Sequence, residues 1–535
     1  MKRLHTALTL LANAFLLGML VLVFLDGRNP TMAFLTSEAS RVYILLMCLL
    51  ALTALSWRLF APHGDRENGE RKRKDTMDER LSRDIDAFIE VHEKQLFRDI
   101  ARLVAIDSVE GEPALGAPFG EGPARVLAEG LKIAGELGLK SVNCGDHIGY
   151  AEIGEGEDYL ATITHLDVVP VGEGWTEDPF AMREREGYII GRGVMDDKGP
   201  SVLCLYALKY LKDRGLPLRY PVRALLGINE ETGMADVEYY LANYKAPLFC
   251  FSPDANFPLC NGEKGITRGR MISKLPMENI VDIKGGFVSN AIPDKAEAWI
   301  RADHVKDVPG VTAEREEDGL WHLTATGIGG HASLPEGTVN AIGLLVNAIL
   351  DQGLAGEQEA KFLCAVALLT GHTDGSGLGV QADDGLFKPL TIVGSMIGVE
   401  NGRMVQTYDS RYPTNTSGEK IAAIIRGKLG DVLEVETDRS VPPFYMSVDK
   451  PEVQACIRAY NAVTDENAAP YTIGGGTYAR DFPNAVSFGP EHPERPTPAF
   501  AGPIHGVDEA ANKAWLLEAL KVYIVALIEL EKLSF

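Results

Sequence analysis

Four short carboxylate-rich segments each follow an apolar run: Thr164-His165-Leu166-Asp167, Met195-Asp196-Asp197-Lys198-Gly199, Asn229-Glu230-Glu231-Thr232 and Ser252-Pro253-Asp254-Ala255. Around them the chain alternates two patterns. Residues 159–164, 222–228 and 248–251 read as apolar strands, and residues 201–212 and 237–243 as helices. That alternation predicts an α/β fold with a mostly parallel sheet covered by helices on both faces. In open sheets of this kind ligands bind outside the carboxyl ends of the strands. His165, Glu230, Glu231 and Asp254 are therefore expected to converge despite their wide separation in sequence.

Residues 81–109 read as a helix, because Ile85, Phe88, Ile89, Leu96, Ile100, Leu103 and Val104 mark one buried stripe at spacings of three and four. A second amphipathic helix is expected near residues 123–137. Around residues 265–268 the style changes to strands interrupted by Gly and Pro, with helices near 340–350 and 420–429. After Pro451 the earlier patterns resume and end in a long amphipathic helix over 511–533. At 535 residues the chain exceeds the usual size of one domain. The reading is an α/β domain in two parts, 78–265 and 443–535, with a second, α+β domain of residues 266–442 inserted into it.

Residues 7–25 form an uncharged run of 19, about 28 Å long as a helix, which matches the hydrocarbon thickness of a bilayer. Residues 42–57 give a shorter run of 16, which Arg58 could extend by raising its charged end to the interface. No small-residue cleavage site follows Leu25 before the second run, so a transmembrane hairpin in residues 1–62 is expected rather than a cleaved signal peptide. The basic linker, residues 63–77, includes Arg71, Lys72, Arg73 and Lys74, which read as topology determinants, with contact to anionic lipid as the alternative. By the positive-inside tendency the protein is expected at the cell membrane as a multi-pass protein, its catalytic body in the cytoplasm.

The formal net charge is −23, and residues 1–74 carry +5, which leaves −28 on the remainder. Such an acidic body excludes nucleic acid as a partner, since a polyanion needs a basic face. The seven cysteines are scattered and contain no C-x-x-C pair. They read as buried, reduced thiols rather than a disulfide framework or a cysteine-based metal site.

A pair of divalent ions about 3.5 to 4 Å apart can share a hydroxide, polarise a carbonyl and stabilise the oxyanion that forms when water attacks. Such a pair requires a bridging carboxylate, terminal donors on either ion and a free carboxylate to carry protons. His165, Asp196, Glu231, Asp254 and, near the C-terminus, His505 supply the donors, and Glu230 is left over as the base. Asp167, two residues beyond His165, could accept the imidazole's second N–H and so fix its tautomer. Zn2+ suits one imidazole with carboxylates at each ion, with Mn2+ or Co2+ as alternatives. The loop Gly474-Gly475-Gly476-Thr477 could let backbone N–H groups approach a carboxylate, or be no more than a turn. Each fragment alone would read as a solvated turn. Their order and spacing together point to a two-metal hydrolytic centre.

With these residues in view, the chain resembles the metallopeptidase superfamily of aminoacylases, carboxypeptidases and succinyl-diaminopimelate desuccinylases, and most closely its PepV-type, Sapep-like dipeptidases. The matching stretches include Leu103-Val-Ala-Ile-Asp-Ser108, Thr164-His-Leu-Asp-Val-Val-Pro170, Gly191-Arg-Gly-Val-Met-Asp-Asp-Lys-Gly-Pro200, Phe251-Ser-Pro-Asp254, Asn261-Gly-Glu-Lys-Gly265 and Gly474-Gly-Gly-Thr-Tyr-Ala-Arg480. The resemblance implies His165, Asp196 and Asp254 on one ion, Asp196, Glu231 and His505 on the other, and Glu230 as general acid and base. It prefers His505 over His492, because His505-Gly-Val-Asp-Glu509 opens the terminal helix as the family pattern does. It also implies a cis Asp196-Asp197 peptide and, with residues 266–442 as the lid of a catalytic domain, three substrate-binding residues there: Asn290, His331 as donor to the oxyanion, and Arg411 as holder of the substrate carboxylate.

The function expected on these grounds is hydrolysis of dipeptides or short peptides by a metal-bridging hydroxide, in a monomeric catalytic unit tethered to the membrane. Two rivals remain at this stage: an N-acyl amino acid amidohydrolase or desuccinylase with the same metals, and a non-catalytic membrane peptide sensor.

Overall fold

Strands form where the sequence places its uninterrupted apolar runs. Leu160–His165 is buried throughout and lies between Val222–Gly227 and Phe249–Ser252, parallel to both. Ala485–Ser487, from the far end of the chain, pairs parallel with Phe249–Ser252. The computed structural model describes residues 77–535, and these four strands are the centre of its nine-stranded sheet. The flanks pair antiparallel instead. Ile148–Ile153 is antiparallel to Val222–Gly227, Lys140–Cys144 is antiparallel to Ile148–Ile153, and Cys260–Glu263 pairs antiparallel with Phe444–Tyr445. The sheet is thus mixed rather than mostly parallel. Lys140–Cys144 keeps most of its residues in water, which an antiparallel edge strand tolerates and a doubly covered parallel strand does not.

Helix Glu79–Val104 begins at Asp78, whose side chain accepts the Arg80 N–H at 2.7 Å. It buries the expected stripe, including Ile85, Phe88, Leu96 and Ile100. It stops five residues short of the expected end, because the segment after it turns in toward the sheet. There the Ser108 hydroxyl donates to the Leu166 carbonyl and the Lys198 ammonium to the Ile106 carbonyl. Helix Lys198–Asp213 starts directly after Asp197 and is buried from Lys198 to Leu208. Helices Pro451–Thr464 and Lys513–Leu530 complete the same core.

A second sheet of eight strands, all antiparallel, is built from residues 265–441. Its first strand, Gly265–Ser273, pairs with its last, Leu433–Val441, so the chain enters and leaves this insert at one place. Helices Ala341–Asp351, Glu357–Thr370 and Gly418–Leu429 share a core with it. The middle helix has no counterpart in the sequence reading. It lacks a capping side chain ahead of it; instead the fully buried Glu359 accepts N–H groups from Gly356, Asn279 and Ile280. Its partners Asn279 and Ile280 lie some 80 residues away in sequence.

The expected membrane hairpin needs correction. Among the described residues no helix is long and apolar enough to cross a membrane, and the two runs behind the expectation, residues 7–25 and 42–57, lie outside the described residues. Lys513–Leu530 illustrates why an apolar stretch need not span: its Leu516, Leu520, Tyr523, Ile524 and Leu527 are fully buried in the protein core. A hydropathic run sets a length that suffices for a span without requiring one. The supported fold class is the α/β body with its inserted antiparallel layer. The hairpin, the membrane partner and the multi-pass localisation are withdrawn.

Because Ile524 is fully buried in that core, Ile524→Ala is expected to destabilise the protein by about 2–5 kcal/mol. An unchanged urea midpoint would contradict the placement of the helix.

Candidate metal centre

Every carboxylate-rich segment lies at the carboxyl end of a strand or the start of a helix. His165 ends Leu160–His165, Glu230 and Glu231 follow Val222–Gly227, and Asp254 follows Phe249–Ser252. Asp196 and Asp197 precede helix Lys198–Asp213, and the peptide between them is cis, as the resemblance implies. Since the three strands are neighbours, their ends open into one cleft.

Asp196 occupies its middle. One carboxylate oxygen is 2.9 Å from His165 Nε2 and the other 2.9 Å from His505 Nε2. His505 Nε2 also lies 3.2 Å from Glu231 Oε1, and His165 Nε2 lies 3.9 Å from Asp254 Oδ2. Two sets of donor atoms each fall within 4.8 Å of one another: His165, Glu230 and Asp254, and His165, Asp196 and Glu231. All five expected ligands therefore meet. Glu230 is not set apart from them, since its carboxylate approaches His165 and Asp254.

The surroundings fix the imidazole. His165 Nδ1 is 3.1 Å from the main-chain carbonyl of Asp167, with the Asp167 carboxylate at 3.5 Å. A carbonyl can only accept, so Nδ1 carries hydrogen toward it. The expected partner is thus the Asp167 main chain more than its side chain, whose Oδ2 accepts the Glu231 N–H at 3.1 Å. Asp197 accepts the His165 N–H at 3.1 Å, and Ser201 donates to the His165 carbonyl at 3.2 Å.

These groups shift one another strongly. Burial, and then the charge of Asp254, push the Glu230 carboxyl well above its ordinary range. Burial, and then Asp196, do the same to Asp254. Burial alone would raise Asp196 too, but the adjacent His165 and His505 imidazoles hold it below the usual carboxylate value. The carboxylates of Asp196 and Glu231 beside its ring raise His505 to about 11. Crowded carboxylates of this kind repel unless protonated or shared by a cation. His165 Nε2 and Glu231 Oε1 are moreover buried without a hydrogen-bond partner, close to their neighbours but not aligned with them. Oxygen and imidazole donors with unbonded lone pairs, in excess negative charge, fit divalent cations.

The insert brings its residues to the same region. Strands Ala291–Ile292 and Gly330–His331 pair, and the Asn290 carbonyl accepts the Ala332 N–H, so Asn290 and His331 are adjacent. His331 Nδ1 accepts the Ser333 N–H at 3.2 Å, and burial, followed by the charge of Arg411, lowers its pKa. Arg411 donates to both oxygens of Asp409, at 2.6 and 3.2 Å, and to the Gly474 carbonyl at 2.8 Å. Gly475 and Gly476 follow on that loop. Thr477 is not available in the same way: its hydroxyl donates to Glu263 at 2.8 Å, contacts Ser487 and accepts the Ala479 N–H. His492 lies elsewhere, 3.4 Å from Glu518 and against Phe257, Tyr460 and Trp515.

Sequence reasoning passed over Arg192, Glu509 and Glu491. Arg192 and Glu509 form a buried pair at 2.8 Å beside Asp196, and burial, then Asp196, push Glu491 up to about 7. Arg192 and Glu509 lie in quoted motifs, but a pairing over 317 residues carries no signal in one sequence.

Comparison with known proteins agrees with this picture. The family described as Peptidase family M20/M25/M40 matches residues 161–529. The YtjP protein of Bacillus subtilis (strain 168) is 33% identical over 462 residues, 82% of this chain and 98% of that one. A Beta-Ala-Xaa dipeptidase of Lactobacillus delbrueckii subsp. lactis is 32% identical over 468 residues, 83% of this chain and 97% of that one. Human carnosine dipeptidase 1 has a similar fold, with a TM-score of 0.51 at 14% identity, over 85% of this chain and 99% of that one.

Two outcomes are expected. Elemental analysis should show that His505→Ala loses bound divalent ion while His492→Ala retains it; equal retention would refute the assignment. In metal-free protein, the raised His505 pKa stabilises the fold fully below its ordinary 6.5, and that stability is gone above about 11. The difference in melting temperature between wild type and His505→Gln should be greatest below pH 6.5 and vanish near pH 11.

Proposed function

The chain belongs to peptidase family M20/M25/M40 and is a peptide-bond hydrolase, and we propose that it cleaves dipeptides or short peptides that end in a free carboxylate. The observation that carries this reading is Asp196 held 2.9 Å from each of two imidazoles, with Glu230, Glu231 and Asp254 around it. His165, Asp196 and Asp254 would hold one cation and Asp196, Glu231 and His505 a second, with Zn2+ preferred and Mn2+ or Co2+ as alternatives. Bound there, a cation pair supplies polarisation of the scissile carbonyl and a lowered pKa for the attacking water.

The chain's own groups do the rest. Glu230 takes the proton from water and gives it to the leaving amine, a role that suits a carboxyl held well above its ordinary range. His331 accepts at Nδ1, so its hydrogen is on Nε2, and its lowered pKa favours the neutral ring; Nε2–H donates to the developing oxyanion. Arg411, steadied by Asp409, binds the substrate carboxylate, a planar group that a guanidinium matches with paired hydrogen bonds. Asn290 and the N–H groups of Gly475 and Gly476 contribute further donors. Thr477 holds that loop in place through Glu263.

Residues 266–442 act as the lid in this reading. They bring His331 near His505 within one chain, which supports a monomeric catalytic unit. A relative named as a Beta-Ala-Xaa dipeptidase favours a dipeptide over an N-acyl substrate.

Chelation is expected to abolish turnover of a dipeptide panel, and Zn2+ or Mn2+ to restore it. Glu230→Gln should lower kcat by about 10²- to 10⁴-fold. Faster hydrolysis of the N-acetyl or N-succinyl counterparts than of the free dipeptides would overturn the substrate assignment.

A further inference from the structure

Two loops that meet at the cleft are stitched together by one carboxylate. Glu509 and Arg192 are each 1% exposed, and Arg192 Nη1 donates to Glu509 Oε2 at 2.8 Å. Glu509 Oε1 accepts the N–H of Met195 at 3.0 Å and that of Asp196 at 3.2 Å, and Gly193 donates to both oxygens. The Glu509 carbonyl accepts the Gly191 N–H at 2.9 Å. A residue four places after His505 therefore holds the main chain of Asp196 itself.

The same pair reaches the other side of the cleft. Arg192 Nη2 donates to the His505 carbonyl at 3.3 Å. His505 and Asp508 have φ of 59° and 54°, left-handed conformations that non-glycine residues adopt only where surroundings impose them. Asp508 is tied down by Thr176 and by Arg183 at 2.6 Å. Neither Arg192 nor Glu509 has a part in the proposed proton transfers or in substrate contact. Their interactions converge on the backbones of two proposed ligands.

We propose that the Glu509–Arg192 pair is a positioning element that holds Asp196 and His505 at one spacing and thereby sets how tightly the cleft retains its cations. The inference rests on the two-cation reading above. A carboxylate that accepts several amide N–H groups fixes a loop more firmly than any one bond, and the guanidinium balances its buried charge. Groups that orient metal ligands from behind change affinity when removed, even though they touch no ion.

The test uses the full chain stripped by chelation, with zinc affinity read by competition against a chromophoric chelator and folding checked by circular dichroism. Glu509→Gln keeps the shape but loses the charge and turns one acceptor into a donor. It is expected to bind zinc about 10- to 100-fold more weakly, with turnover recovering as zinc or manganese is raised, which a damaged fold would not do. Wild-type affinity in this variant would overturn the proposal. Should it not fold, Arg192→Lys, which keeps the charge but loses the fork, is expected to weaken zinc binding to a lesser degree; unchanged affinity there overturns the proposal equally. Wild-type protein that takes up no zinc or manganese would instead overturn the two-cation reading, and the positioning role with it.

Discussion

Asp196 sits between imidazoles that come from residues 165 and 505, and the rest of the architecture serves that meeting. Its neighbours Glu230, Glu231 and Asp254 are carboxylates as well, and like charges a few ångströms apart in a cleft of low dielectric repel strongly. An ordinary fold would let such groups turn to water. Here they are fixed at the ends of adjacent, fully buried strands, where the main chain cannot retreat without breaking the sheet. The rigidity of the central strands is therefore what makes the crowding possible, and the crowding is what suits the site to a cation.

That rigidity has identifiable sources. Helix Lys198–Asp213 is buried from its first turn and packs beneath the cleft, so the Asp196-Asp197 segment is anchored from behind. Asp197, Ser201 and the Asp167 main chain hold His165 from three directions. On the opposite wall, Glu509 and Arg192 join the segment bearing Asp196 to the one bearing His505. His331 and Arg411 come instead from the insert. Because that insert enters and leaves through paired strands, its own sheet carries Arg411 and its ribbon carries His331 as one piece.

Much of this was legible in the chain. Apolar runs ending in His165, Glu230 and Asp254 were read as strand ends, and they are, because burial on both faces demands continuous apolar sequence. The change of style at residues 265–268 falls at the first strand of the antiparallel sheet, Gly265–Ser273. Other features were not legible. In helix Glu357–Thr370, Glu359 accepts the N–H groups of residues 279 and 280 besides that of Gly356, and those distant partners no local pattern reveals. The antiparallel flanks were missed because alternation of strand and helix speaks only for the centre. The hydropathic runs near the N-terminus had the length of membrane spans, but length is a necessary condition and not a cause.

The sequence by itself determined the kinds of atoms available to the cleft and their order along the chain, since side-chain chemistry and periodicity are properties of single residues and their near neighbours. It determined likewise that Glu230 and Glu231 arrive together. Only the tertiary structure decided which groups touch. It placed His505 rather than His492 against Asp196, committed Thr477 to Glu263, and joined Arg192 to Glu509 across 317 residues. Those choices depend on packing between distant elements, and distance through space is what a linear pattern does not encode.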